Sequence, residues 1–314
     1  MKLLSTFALL SLTSVDTAAG FTLAQTNRHI TKNVVHRNHG EPNSFAAAGL
    51  YHFSSTSKQK SSHITVAHAQ KTDVNDLEEK TGFFSDISIN PPYAIAYVTF
   101  LAFAFYRSFT EPEGASMQIL EGFFADPLNP GCNELFVSIF NLLGLYFVPL
   151  ACLLMPGAKG QKLPATPFIF ASMLGGYGFL GPYAMTRKPS PEVINKSNLG
   201  WFTVNVLENK IFNWVILAVV SSAYVSSGCI SAWFSDPSGL ISGYGDLVSE
   251  TAIASASSMD FVILTLVAAS LIPEDLARRG VKGASNYAIA ASTVLLPGVG
   301  AALYCALRPE LDAE

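Results

Sequence analysis

The sequence predicts an all-α protein, a polytopic transmembrane helical bundle with a disordered N-terminal targeting region. Two observations carry this. Half of the 314 residues are apolar and only 13% are charged, against about 25% charged in ordinary soluble domains; the mean hydropathy is +0.34. The charges are also unevenly placed, in the first part of the chain and in a few loops, leaving six long apolar runs beyond residue 92.

The N-terminus reads as an address. Lys2 precedes the apolar run 3–12, and Ala18-Ala19-Gly20 ends the stretch before Phe21. A basic start, a short apolar core and small residues at a cleavage point are the pattern of a signal peptide, here residues 1–20. Residues 21–72 hold six cations (Arg28, Lys32, Arg37, Lys58, Lys60, Lys71) and one acid, Glu41, among many Ser, Thr, Asn and His. Such an acid-poor segment buries no core and reads as transit-like and disordered. The order signal, Phe21, transit-like segment resembles the bipartite presequence of algae with complex, red-lineage plastids, in which the aromatic residue after the cleavage site directs import. Gly20 and Phe21 are thereby the expected targeting residues. The other reading is a secreted or endomembrane protein with a disordered mature N-terminus. Residues 73–92 form an acidic linker carrying Asp73, Asp76, Glu78 and Glu79.

A single transmembrane helical domain follows at 93–308, with a short tail at 309–314. Its apolar segments are 93–109, 134–155, 166–186, 211–230, 253–272 and 285–307. A spanning helix needs about 20 predominantly apolar residues. The first segment is short and the fifth opens on Ala and Ser, so six helices are expected, with five as the alternative. Arg187, Lys188, Lys196 and Lys210 lie between the third and fourth segments, and Arg278, Arg279 and Lys282 between the fifth and sixth. Two spans apart, these loops share a face, which the positive-inside tendency makes stromal, or cytosolic outside a plastid. Lys159 and Lys162 then fall on the opposite face. Between the first two segments, Met117, Ile119, Leu120, Phe123 and Phe124 surround Glu121 in an interfacial amphipathic helix or a loop helix packed on the bundle.

The chemistry available is sparse. All six histidines (His29, His36, His39, His52, His63, His68) lie in the leader. Its removal would exclude histidine metal ligands, general bases and nucleophile–histidine pairs from the body. Cys132, Cys152, Cys229 and Cys305 are far apart and form no CxxC, so neither disulfide nor metal site is expected. There is no phosphate-binding loop, nucleophile elbow or HExxH. No basic patch interleaved with aromatics points to nucleic acid. No enzyme activity, catalytic residue, cofactor or metal is therefore expected.

Three residues form a candidate intramembrane polar site: Asp260, Asn141 and Arg187. Asp260 is an acid within a predicted span, where a charge costs of order 3 kcal/mol at the helix centre. Alternatively, Ser257, Ser258 and Asp260 mark a helix start at the interface. Asn141 and Tyr224 are mid-helix groups suited to interhelical hydrogen bonds worth about 0.6 kcal/mol each. The run 272–280, with Glu274, Asp275, Arg278 and Arg279, reads as a solvated mixed-charge turn. Glycine and proline interrupt the third segment (Gly175, Gly176, Gly178, Gly181, Pro182) and the sixth (Pro297, Gly298, Gly300). Both end alike, in Tyr183…Arg187 and Tyr304…Arg308. Three spans separate these ends, so an inverted repeat of the transporter kind is conceivable. Close helix packing produces the same pattern.

The strings Asp126-Pro127-Leu128, Phe140-Asn141-Leu142-Leu143-Gly144-Leu145 and Leu207-Glu208-Asn209-Lys210 belong to a wider likeness. With Gly181-Pro182-Tyr183 running to Arg187-Lys188-Pro189, Met259-Asp260-Phe261 and the stretch 274–280, the chain resembles a family of multi-pass membrane proteins shared by cyanobacteria, algae and plant plastids. The likeness covers roughly residues 120–308. It implies a plastid or photosynthetic setting and no particular reaction. The expected function is a non-enzymatic one: scaffold, assembly factor or accessory subunit of a photosynthetic complex, in the thylakoid in preference to the envelope. The alternative is a small-solute or ion transporter of a plastid membrane. Expected partners are the lipid bilayer and other plastid membrane proteins, with no nucleic acid.

Overall fold

The computed structural model describes residues 88–312, so the targeting region, including Gly20 and Phe21, and nearly all of the acidic linker lie outside the described residues. Within them every regular element is helical: α1 (Pro91–Thr110), α2 (Ala115–Ala125), α3 (Glu134–Leu154), α4 (Ala165–Thr186), α5 (Lys210–Ser226), α6 (Cys229–Ser235), α7 (Pro237–Glu250), α8 (Ala252–Arg278), α9 (Ser285–Val294) and α10 (Val299–Leu307). Local chemistry sets the boundaries. Pro91 and Pro92 open α1, where a missing N–H costs nothing. Asn133, Asn209, Asp236 and Thr251 cap α3, α5, α7 and α8 by accepting amides of the first turn.

Two helices, Glu134–Gly157 and Ala252–Arg278, are long and apolar enough to cross a membrane; the pair Lys210–Ser226 and Cys229–Ser235, bent by 48°, makes a third if it is one span. The 27-residue α8 is central, about 40 Å long at 1.5 Å per residue. The weak opening of its segment is no interruption: Ala252, Ile253, Ala254 and Ser255 are all buried. Helix α1 runs antiparallel to it, with Tyr93 Oη and Ser270 Oγ 2.8 Å apart near one end. Near the other, Arg107 Nε donates to Ser255 Oγ at 3.0 Å. Helix α3 runs parallel to α8: its Leu153 carbonyl accepts from Arg278 and its Cys152 carbonyl from Arg308. Helix α5 leaves from this end, where Lys210 donates to the Arg308 carbonyl. Four helices thus run end to end. The far end is closed by α2, α7 and the turn between α5 and α6, through Ile253 N–H to Ser116 Oγ at 2.9 Å, Asn133 Nδ2 to the Leu240 carbonyl at 2.9 Å, and Ser138 to Ser227 at 2.6 Å.

The third and sixth apolar segments do not run end to end. Each is a helical hairpin that enters and leaves at the same end. In α4 the helix breaks at Gly175 (φ −142°, ψ 25°) and Gly176 (φ 52°, ψ −133°). The rings of Phe168 and Tyr183 are stacked with centroids 6.1 Å apart, whereas fifteen residues of straight helix would separate them by about 22 Å. Gln161, before the first arm, donates to the Lys188 carbonyl and accepts the Lys188 amide, both at 2.8 Å, after the second. The arms are 165–174 and 177–186. In the sixth segment, α9 rises from the end of α8, the chain turns at 295–298, and α10 descends to Arg308, which reaches back to Asp275. Gly298 (φ 78°) makes the turn against Leu142 and Phe261; a Cβ there would lie 3.1 Å from Leu142 Cδ1. Apolar length alone counts a hairpin as one crossing, because hydropathy carries no direction.

Two sequence expectations change with this. The similar ends Tyr183…Arg187 and Tyr304…Arg308 lie at the same end of α8, so any internal repeat is parallel, not inverted. Lys159 and Lys162 also join the other cations, since their loop is tied to Lys188 through Gln161. Of the eleven Lys and Arg among the described residues, ten lie at this charged end and only Arg107 at the other. The far end instead carries Glu111, Glu113, Glu121, Asp126, Glu134, Asp236, Asp246 and Glu250.

Large apolar side chains cover the outside: Ile95, Val98 and Phe105 of α1, Val215 and Val219 of α5, Val262 and Leu266 of α8 are exposed. Trp201 and Trp214 stand out towards the charged end, Trp233 and Phe234 towards the far end. This matches the aromatic belts that flank a hydrocarbon layer. Helix α2 bears out the apolar stretch around Glu121 as a helix, with Leu120 and Phe123 buried and Glu121 exposed.

Candidate functional site

Asp260 is the ninth residue of α8 and is 6% exposed. Its helix begins eight residues earlier under the Thr251 cap, so Asp260 does not mark the start of α8. It sits at the start of a different helix. Asp260 Oδ1 accepts the Tyr177 N–H at 2.7 Å, the first amide of the second α4 arm. That amide has no intrahelical partner, and a helix N-terminus favours negative charge. Contact is close because Gly176 has no side chain: a Cβ there would lie 1.6 Å from Oδ2. Its positive φ independently calls for glycine. The same arm is held from α1, where Tyr177 Oη donates to the Tyr93 carbonyl at 2.8 Å and its ring meets Tyr97 edge-on at 6.2 Å.

No cation pairs with Asp260 among the described residues. Arg107, the one cation of the described residues at this end, is committed to Ser255 Oγ at 3.0 Å and to the carbonyls of Val248 and Ser249 at 3.0 and 2.6 Å. The tip of the second hairpin adjoins, with Gly298 against Phe261. Tyr224 Oη donates to the Pro297 carbonyl in that turn at 2.9 Å.

Arg187 ends α4 at 4% exposure and grips Glu274 with both terminal nitrogens, at 2.9 and 2.5 Å. Glu274 also accepts from Arg278 and from the Ser190 amide. Asp275, one residue on, binds Arg279 at 2.9 Å, Tyr304 Oη at 2.7 Å and Arg308 at 3.5 Å. Glu208, after the π-turn Thr203–Leu207, joins Arg279 and Arg308 at 2.9 Å each. Four guanidinium groups and three carboxylates are thus packed together, out of water. Burial opposes the charges of Arg187, Arg279 and Arg308, but the neighbouring carboxylates outweigh it and hold all three above the ordinary arginine range. The run 274–280 is therefore no solvated turn. Its first five residues are the last turn of α8, and its charges are buried because partners arrive from three other parts of the chain.

The three predicted polar residues do not form one site. Arg187 meets α8 at Glu274, fourteen residues or about 21 Å along the helix from Asp260. Asn141 is half-buried on α3, and its side chain makes no hydrogen bond to another described residue, so the expected interhelical bond is not seen among them. Cys152 and Cys305 are buried on adjoining helices as free thiols. Among the described residues no three His, Cys, Asp or Glu gather as metal ligands. A cleft of about 570 Å³ at the far end is lined by Asn129, Gly131, Glu134, Ser227 and Ser231, on the flank of α3 and α6.

No known family matches the chain, and no characterised protein or solved structure matches it.

Proposed function

We propose that this chain is a multi-pass membrane protein that moves a small solute or ion through the point where the hairpin tips meet α8. One observation carries the reading: a re-entrant hairpin tip lies against Asp260, which has no counter-cation among the described residues. Broken helices presenting a half-helix N-terminus inside a membrane domain are the usual form of transporter binding sites, because irregular backbone at that depth persists only where it lines a site or is buried in protein. In this reading α3, α8 and the bent pair α5 with α6 are crossings, α1 lies antiparallel along α8, and the charged end faces the stroma by the positive-inside tendency. The leader carries the chain to a plastid membrane, the thylakoid before the envelope, and the role is non-enzymatic.

The exposed apolar and aromatic belt supports a second reading, a scaffold or accessory subunit packed against other plastid membrane proteins. Purification in mild detergent followed by reconstitution into liposomes separates the two. Transport predicts solute or proton flux that Asp260→Asn abolishes. Absence of flux together with stable co-migration with chlorophyll-containing complexes would overturn it in favour of the second reading.

A further inference from the structure

We infer that Asp260 is a proton-binding switch for the first hairpin: a proton taken from water onto Oδ2 loosens the tip at Gly175–Gly176. The inference rests on the transport reading and names the proton as the ion to which hairpin movement is coupled. The geometry selects a proton over a metal ion. Oδ1 is used by the Tyr177 amide. Oδ2 is pressed on the Gly176 methylene so closely that a Cβ would lie 1.6 Å from it. A metal ion needs several oxygen ligands at more than 2 Å, and among the described residues no cluster of acidic, Cys or His side chains gathers here to supply them. A proton needs no added space and removes an uncompensated buried charge.

The groups on each element packed round this stretch of α8 leave Asp260 alone. Helix α1 presents Tyr97 and Arg107, the latter held by Ser255, Val248 and Ser249. Helix α3 presents Tyr146, bound to Thr265 Oγ1, and α4 presents Tyr177, bound to the Tyr93 carbonyl. Tyr244 of α7 donates to Ser258 Oγ at 2.6 Å, and Glu111 ahead of α2 accepts the Ala252 amide and the Ser116 hydroxyl. The α9–α10 turn brings Gly298 and no titratable group.

Protonation converts the Oδ1 bond from a charge-assisted cap to a neutral one, and charge assistance roughly doubles the strength of such a bond. Chain and carboxyl stay intact; the proton comes from, and returns to, the aqueous phase. With the structure ionised and capped, the tip is closed; protonated, the second arm is released from α8 at its first turn.

Infrared difference spectra of the full chain in nanodiscs, taken between high and low pH, test this. A protonated-carboxyl C=O band is expected at low pH, shifted in Asp260→Glu and missing in Asp260→Asn. Amide hydrogen exchange at Tyr177 and Gly178, corrected for its intrinsic pH dependence, is expected to rise about fivefold over the same range, and Asp260→Asn is expected to show the fast value at every pH. Asn keeps an acceptor for the Tyr177 amide, so the variant tests charge without removing the cap. Absence of a band assigned to Asp260, or identical corrected exchange at both pH values, would overturn the switch. Titration with faster exchange but no flux in liposomes would uphold the switch and remove the transport reading; flux without titration would do the reverse.

Discussion

Gly176→Ala puts the tip geometry to a quantitative test. The new Cβ would lie 1.6 Å from Asp260 Oδ2 and 2.4 Å from its Cγ, so the carboxylate must swing away from the arm it caps. Three costs add. The left-handed backbone at Gly176 (φ 52°) costs an L-residue about 1–2 kcal/mol. Losing the cap on Tyr177 costs about 1 kcal/mol. A buried carboxylate without its donor costs about 1–3 kcal/mol. The expected loss is about 4 kcal/mol, read as a shift in the SDS concentration that unfolds the purified protein. Asp260→Ala alone is expected to cost about 1 kcal/mol. In the double variant nothing is left to collide, so only strain and the lost cap remain, about 3 kcal/mol against an additive 5. A double variant as unstable as the sum would refute the contact between Gly176 and Asp260. A Gly176→Ala protein within about 0.5 kcal/mol of the parent would refute the conformation of the tip.

Arg308→Met or Asp275→Asn leaves partners charged in a buried cluster and is expected to cost about 3–5 kcal/mol by the same SDS titration; a loss below about 1 kcal/mol would mean the cluster is hydrated. Glu310→Gln breaks only the exposed pair with Lys196, 3.1 Å long, and is expected to leave the unfolding midpoint unchanged, as surface pairs do. Single cysteines at Lys159, Lys188, Lys282 and Asp312, in a background with Cys132→Ser, are expected to react from one side of sealed vesicles with an impermeant maleimide. Labelling of Lys159→Cys and Lys188→Cys from opposite sides would mean that the third segment crosses the membrane and is not a hairpin.

Where helices start and stop was largely legible. The expected 93–109 and 134–155 became Pro91–Thr110 and Glu134–Leu154, because proline at a first turn and an Asn cap act within a few residues of themselves. Direction was not. Gly175-Gly176 and Pro297-Gly298 were visible as interruptions, yet a kink and a full reversal have the same composition and differ only in backbone torsions. Burial of the charges at 274–279 was hidden for another reason: Glu208, Arg187 and Arg308 neutralise that turn from 33 to 87 residues away, and a charge run shows nothing of partners so distant. Asp260 was visible as an acid in an apolar segment. That it caps another helix depended on knowing that the other helix breaks there.

Glu274 and Asp275 are consecutive, and each holds the foot of a different hairpin, through Arg187 for one and Arg308 and Tyr304 for the other. The two feet are thereby fastened to one shaft about 100° apart. A slide or twist of α8 would carry both feet with it, and shifting one foot alone would break a buried ion pair. The couplings between the two hairpins are gathered at one end of α8, and the hairpin tips lie some 20 Å away along that helix.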